Sequence, residues 1–244
     1  MTAVGLDALL LWADDPAAPA AFYAQMEGIR REGTTLRLPD GHVWQLCPGR
    51  KECPTRGPHG IVPALAVRDI VEAKGWIRHL GRPIVFEEVV PGLARFTFLD
   101  PTGQPVDMVQ ELDASTWTRG ARIPEPEAPP RPPRVTGLFE LSLYAVDTTR
   151  ALHLYRDTLG LEVGLAYFAH IHLILDTIPL VIRPTWHRCR GELPHTPALR
   201  LRVPPDLPEK CRAAGLAWTA PLPDACPGSW YWDGETTLCA LVAT

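Results

Sequence analysis

The feature that most constrains this chain is that it repeats itself. Leu6–Trp12, then Asp14-Asp15-Pro16, then Ala20–Ile29 read as strand, N-cap and helix closed at Gly28. Leu138–Val146, Asp147-Thr148-Thr149 and Ala151–Leu161 read the same way, closed at Gly160. Tyr23 and Tyr155 lie 132 residues apart, and so do Gly28 and Gly160. Trp44–Pro48 and Leu180–Pro184 are each an apolar strand stopped by proline. A period this long in 244 residues means duplicated domains, not a solenoid of short repeats. Between the copies, residues 124, 126, 129, 130, 132 and 133 are all proline. Proline lacks an N–H and fixes φ, so this stretch is expected to be an extended, semi-rigid connector. The expected organisation is a first domain at 1–113, a connector at 114–135 and a second domain at 136–244.

Each half also repeats internally. Ile61–Val67 reads as a strand, Asp69–Leu80 as an amphipathic helix stopped by Gly81, and further strands follow to Gln110. In the second half Pro197–Val203 is a strand, Leu207–Ala214 a helix stopped by Gly215, and strands follow to Val242. The spacing predicts an α+β chain of four β-α-β-β-β modules, two per domain.

Composition narrows the function. A hydrophobic share of 46% and a charged share of 21% suit a chain with a sizeable core. The net charge of −4 offers no basic face to displace counterions, so nucleic acid is not an expected partner. No apolar run approaches the roughly 20 residues that cross a bilayer, and no charged segment leads into an apolar one at the N-terminus. Neither a membrane span nor a secretory signal is expected, and the location read from this is cytoplasmic. None of the six cysteines forms a CxxC pair, so all six are expected to be buried, reduced thiols. GxSxG, Walker and GxGxxG motifs are absent, and no catalytic residue is assigned.

Two segments carry a resemblance. Phe98-Leu99-Asp100-Pro101-Thr102-Gly103-Gln104-Pro105-Val106-Asp107-Met108-Val109-Gln110 is similar to the closing hairpin of the vicinal oxygen chelate superfamily. Leu154-Tyr155-Arg156-Asp157-Thr158-Leu159-Gly160-Leu161 resembles the opening of its domains. That superfamily includes glyoxalase I, bleomycin-resistance proteins, fosfomycin-resistance enzymes and extradiol dioxygenases. The resemblance implies two glyoxalase-like domains, each with two modules forming a cup-shaped curved sheet with helices outside. It also implies where a metal is usually held, by His, Gln or Glu from four strands. Carried over, those positions are Ala8, Gln45, Val62 and Asp107 in the first domain, and Glu140, Val181, Ala198 and Leu238 in the second. Ala, Val and Leu donate nothing to a cation. No cofactor is therefore expected. The alternative is a divalent metal on relocated ligands such as Gln45, Asp107 and Glu140, or one of the histidines.

Strand parity supplies the remaining candidates. In Leu199-Arg200-Leu201-Arg202-Val203 the apolar residues alternate, so Arg200 and Arg202 face away from the core. By the same rule Leu141 and Leu143 face the core, and Glu140, Ser142 and Tyr144 face the cup, with Arg183 inward as well. The second domain's cup is thus expected to hold Glu140, Ser142, Tyr144, Arg183, Arg200 and Arg202. Such a set suits an anionic ligand in bidentate geometry, or else is a solvated face that binds nothing. The first domain's cup is expected to hold Ala8, Leu10, Trp12, Gln45, Cys47, Val62, Ala64, Ala66 and Asp107, the profile of an apolar small-molecule pocket. Trp12 and one of Trp230 or Trp232 are candidates for stacking on a ligand, whereas Trp76 reads as core. His170, His172, His187 and His195 read as surface histidines.

The function these readings favour is binding or sequestration of a small molecule, as in bleomycin-resistance proteins. The fused halves would act as a monomer with pseudo-dimeric domains, or as a homodimer. The alternatives are a metal-dependent lyase, transferase or dioxygenase, and a metal-free enzyme using Glu140 with Tyr144.

Overall fold

The structure, a computed structural model, describes residues 4–49, 60–113, 122–127, 129–167, 170–184, 197–216, 229–232 and 238–243. The modules follow in order. The first is β1 (Gly5–Ala13), α1 (Ala17–Tyr23), β2 (Arg30–Glu32), β3 (Thr35–Arg37) and β4 (Val43–Pro48). The second is β5 (Gly60–Val67), α2 (Ile70–His79), β6 (Ile84–Val90), β7 (Leu93–Leu99) and β8 (Pro105–Glu111). The third is β9 (Val135–Ala145), α3 (Thr148–Leu152) continuing as a π-helical turn over His153–Thr158, β10 (Val163–Tyr167), β11 (His170–Leu175) and β12 (Ile178–Pro184). The fourth shows β13 (Ala198–Val203), α4 (Leu207–Ala213), β14 (Ser229–Trp232) and β15 (Leu238–Ala243).

Local chemistry explains the helix ends. Asp69 caps α2 by accepting from the N–H groups of Val71 and Glu72, and Asp147 caps α3 through Thr149 and Arg150. The glycine stops at 81, 160 and 215 all have positive φ. α1 ends at Tyr23, short of the expected helix, because the chain tightens into a turn there.

The expected pairing of modules within each half is not what forms. β1 pairs with β13 and β5 with β9, both antiparallel. One sheet runs β14-β15-β13-β1-β4-β3-β2 and joins the first and fourth modules. The other runs β10-β11-β12-β9-β5-β8-β7-β6 and joins the second and third. Each cup therefore draws on both halves. The cause is that β9 leaves the connector beside β5 and completes that sheet, which leaves β1 and β13 to each other.

Two matching contacts tie the sheets together. Asp40, in the β3–β4 turn, accepts the Leu138 N–H of β9 at 2.6 Å. Asp176, in the β11–β12 turn, accepts the Leu6 N–H of β1 at 2.6 Å. Each carboxylate reaches in over a glycine: a Cβ at Gly137 would lie 2.4 Å from Asp40 Oδ2, and one at Gly5 2.6 Å from Asp176 Oδ1. Burial acts to raise the Asp40 pKa, but hydrogen bonds from His42 and the Leu138 N–H overcome it and leave it below the ordinary value.

One apolar core runs through both sheets and under the helices, with Phe22, Tyr23, Trp44, Trp76, Phe96 and Phe98 at its centre. Trp76 is core, as its helix position predicts. The Asp100-Pro101-Thr102-Gly103 turn is structural too. Asp100 accepts from Thr102 and Gln104 and takes the Tyr23 hydroxyl at 2.9 Å. Cys47, Cys211 and Cys239 are buried, and the other three cysteines lie outside the described residues. The connector does more than space the halves, since Ile123 is buried and accepts a 2.5 Å hydrogen bond from Lys74. Among the described residues no helix is long and apolar enough to cross a membrane.

Candidate functional site

The eight-stranded sheet carries a buried polar cluster on its inner face. The outer residues of β9, β12, β8 and β7 (Leu141, Leu143, Leu180, Ile182, Met108, Phe96, Phe98) join the core. Period-two alternation then turns Glu140, Ser142, Tyr144, Arg183, Asp107, Arg95 and Thr97 into the cup. All seven are buried. Ala64 of β5 stands opposite both Glu140 and Asp107 in register, so its methyl group separates the two carboxylates' strands.

Glu140 is the hub. Its Oε1 accepts from Arg183 Nη2 at 2.8 Å, from Ser142 Oγ at 2.8 Å and from Arg95 Nη1 at 3.1 Å. Arg183 Nε also donates to Ser142 Oγ at 3.0 Å. Arg95 Nη1 lies 3.6 Å from Asp107 Oδ2, and Arg95 Nε 3.3 Å from Glu88. Thr97 and Asp107 share a 2.5 Å hydrogen bond. Two guanidinium groups thus stand among the carboxylates of Glu140 and Asp107, with Glu88 nearer the mouth. Burying a charge is costly unless a partner and hydrogen bonds accompany it, and here both do. Burial acts to lower the Arg95 pKa, but Glu140, Asp107 and Glu88 outweigh it, so the group is held charged more firmly than usual.

His170 and His172 of β11 face the same cup. His170 is buried, with both ring nitrogens 3.4 Å from Arg183 Nη1. His172 is half-buried. Burial lowers its pKa, Glu140 opposes this, and Arg183 and Arg95 reinforce it, so the imidazole is held neutral to lower pH than usual. The surface reading fails for His170, which is buried against Arg183, while His172 is only half-buried. His187 and His195 lie outside the described residues.

The inner face of the seven-stranded sheet is different. Ala8, Leu10, Trp12, Cys47, Ala198 and Ala240 form their own buried apolar cluster there. Gln45 lies beside it, and its amide is committed to the neighbouring strand and turn, accepting from Thr35 at 2.7 Å and donating to Thr34 at 3.1 Å.

Comparison with solved structures follows this architecture. Glyoxalase I from Zea mays superimposes with a TM-score of 0.63 at 13% sequence identity, over 99% of this chain and 92% of that one. A candidate dioxygenase from Bacillus subtilis subsp. subtilis str. 168 gives 0.60 at 16%, over 98% and 84%. This chain has the vicinal oxygen chelate fold. No family model matches it, and no curated protein does.

A fold of this kind implies a metal, and the residues present do not fit one. In the charged cup the four usual positions are Val62, Asp107, Glu140 and Val181. The two valines are buried hydrocarbon, and both carboxylates already face Arg95. In the apolar cup the positions include Ala8, Gln45 and Ala198, of which only Gln45 could donate, and the side chain at the fourth, Leu238, lies outside the described residues. Among the described residues no three His, Cys, Asp or Glu side chains converge as a cation requires.

The structure regroups the predicted site residues. Glu140, Tyr144, Arg183 and Asp107 meet in the eight-stranded cup. Trp12 and Gln45 lie in the other sheet, so Gln45, Asp107 and Glu140 do not form one ligand set. Arg200 and Arg202 are also in the seven-stranded sheet, apart from Glu140, because β13 pairs with β1. Their parity is as expected, but Arg200 is partly exposed and pairs with Asp7, and Arg202 is exposed and pairs with Asp176 at 3.3 Å. The side chains of Trp230 and Trp232 lie outside the described residues. Sequence reasoning missed Arg95, Thr97, His170 and His172. The signal was present in β7, where Ala94, Phe96 and Phe98 alternate with Arg95 and Thr97.

Proposed function

We propose that the protein binds a small molecule in the cup of the eight-stranded sheet without a metal ion. The observation that carries this is the buried set of Arg95, Arg183, Glu140 and Asp107, in which guanidinium groups stand among carboxylates at the fold's cation positions. A buried ionic network is weak support for stability, since hydrocarbon in its place is often as good or better. The apolar cup of the same chain shows that this scaffold closes without one. Clusters of this kind concentrate where a protein binds or reacts.

An anionic ligand, in its simplest form a carboxylate, suits the site. It would exchange for Glu140 or Asp107 on the same guanidinium donors, in the bidentate geometry arginine favours. His172, held neutral, adds a donor or acceptor near the mouth. A thermal-shift series with acetate, benzoate and succinate, with native mass spectrometry of the purified protein, tests this reading. At least one carboxylate should raise the melting temperature of the wild type and not of Arg183→Met. No shift with any of the three, and no co-purified small molecule, would overturn it.

A further inference from the structure

We infer that a second binding site, outside both cups, lies in the groove between the β2–β3 hairpin and the start of β9, and that it takes a small molecule carrying a phosphate monoester. This inference does not depend on what the charged cup binds.

Geometry carries it. The groove has a volume of about 730 Å3, the size of a small-molecule site. Three arginines line it: Arg30 from β2, Arg37 from β3 and Arg134 from the end of the connector. Its walls are pinned by the backbone. The Glu27 N–H donates to the Pro133 carbonyl at 2.9 Å and the Val135 N–H to the Glu27 carbonyl at 2.9 Å, which sets Arg134 beside the turn that leads into β2. Three segments close up at Gly28. Its φ is +97°, and a Cβ there would lie 2.7 Å from the Val135 carbonyl oxygen and 3.0 Å from Pro39 Cγ.

Charge points to the ligand. Arg30 and Arg37 are direct partners in the β2–β3 register, so both side chains leave the same face. Like charges placed opposite each other cost stability unless something neutralises them. The nearby carboxylates do so only in part. Glu32 takes Arg37 Nε at 3.1 Å, and Glu27 stands 3.8 Å from Arg134 Nη1. The Arg30 guanidinium has no partner among the described residues. A phosphate dianion offers three acceptor oxygens to these forks, in the bidentate geometry that guanidinium favours. Leu38, Pro39 and Val135 in the lining supply apolar surface for the organic part of the ester. Arg30 and Arg37 belong to the seven-stranded sheet, whereas Arg134 leads directly into β9 of the eight-stranded one. A bound ester therefore spans both sheets and stabilises their junction.

The test is calorimetric titration of the full-length chain with phenyl phosphate and with inorganic phosphate at one fixed, low ionic strength, together with thermal melting. The expected result is one phenyl phosphate per chain, bound at least as tightly as inorganic phosphate and raising the melting temperature. Arg30→Gln and Arg37→Gln should each weaken binding about tenfold, the effect of losing one charge-assisted hydrogen-bonding group. Both side chains are exposed, so neither substitution should lower the melting temperature of the unliganded chain. Glu27→Gln should tighten binding, because it removes the carboxylate that competes for Arg134. Arg31→Gln removes the same charge from the opposite face of β2 and should leave binding unchanged, as should Arg183→Met in the charged cup. No saturable binding of phenyl phosphate overturns the inference. So does binding that Arg31→Gln weakens as much as Arg30→Gln and Arg37→Gln do, or that Arg183→Met abolishes. Binding of inorganic phosphate without phenyl phosphate overturns the assignment to an ester.

Discussion

In the seven-stranded sheet the inner face is Ala8, Leu10, Trp12, Cys47, Ala198 and Ala240. In the eight-stranded sheet the inner face is Arg95, Thr97, Asp107, Glu140, Ser142 and Arg183. The scaffold, the strand pairing at the centre and the shared outer core are alike. The two faces differ in how they satisfy burial: one removes hydrocarbon from water, the other removes charge and compensates it internally. The first solution is cheap and forgiving. The second leaves a network in which each member depends on the others, and it is in this cup that we propose a ligand binds.

The largest expected losses come from truncating one member of each face. Glu140→Ala should destabilise the fold by about 3–5 kcal/mol, because Arg95 and Arg183 lose their shared partner while still buried. Leu10→Ala should cost about 2–5 kcal/mol through a cavity. Urea unfolding of both variants measures this. A Glu140→Ala loss near zero would mean that water reaches the cluster, and the contrast between the cups would collapse.

A smaller contrast concerns β13, which separates core from rim. Leu201 is fully buried while Arg202 is exposed. Leu201→Ala should cost about 2–5 kcal/mol and Arg202→Ala no more than about 0.5 kcal/mol in the same assay. Equal losses would show the strand turned over.

The smallest expected effect is a pH dependence within the charged cup. The His172 pKa is lowered on folding from its ordinary 6.5, by burial first, with Glu140 opposing. A group depressed in this way contributes stability above its unfolded pKa, which is lost as pH falls through the folded value. The His172 imidazole should titrate below 6.5 by NMR, and Glu140→Gln should move it lower still, since the opposing charge is gone. A titration at or above 6.5 would place the ring in water.

Much of this was legible in the sequence. Alternation fixed the faces of β9, β12 and β13 correctly, residue by residue, and the capping residues Asp69 and Asp147 marked two helix starts. What alternation cannot carry is which first strand pairs with which. β1, β5, β9 and β13 all read as apolar strands opening a module, and nothing in Leu199–Val203 says whether β1 or β9 lies beside it. That gap placed Arg200 and Arg202 with Glu140, and Gln45 with Asp107. The missed residues have a different cause. Arg95 reaches the cluster from β7, a strand that carries none of the family's usual ligands, so carrying positions over from the resemblance passed it by. His170 and His172 looked exposed because their covering depends on the same long-range pairing.

Elemental analysis of the wild-type protein, purified without chelator and measured by mass spectrometry, tests the central claim most directly. With Arg95 and Arg183 holding the carboxylates, manganese, iron, nickel and zinc should each fall far below one equivalent per chain. A full equivalent of any of them, lost in Glu140→Gln, would contradict the account.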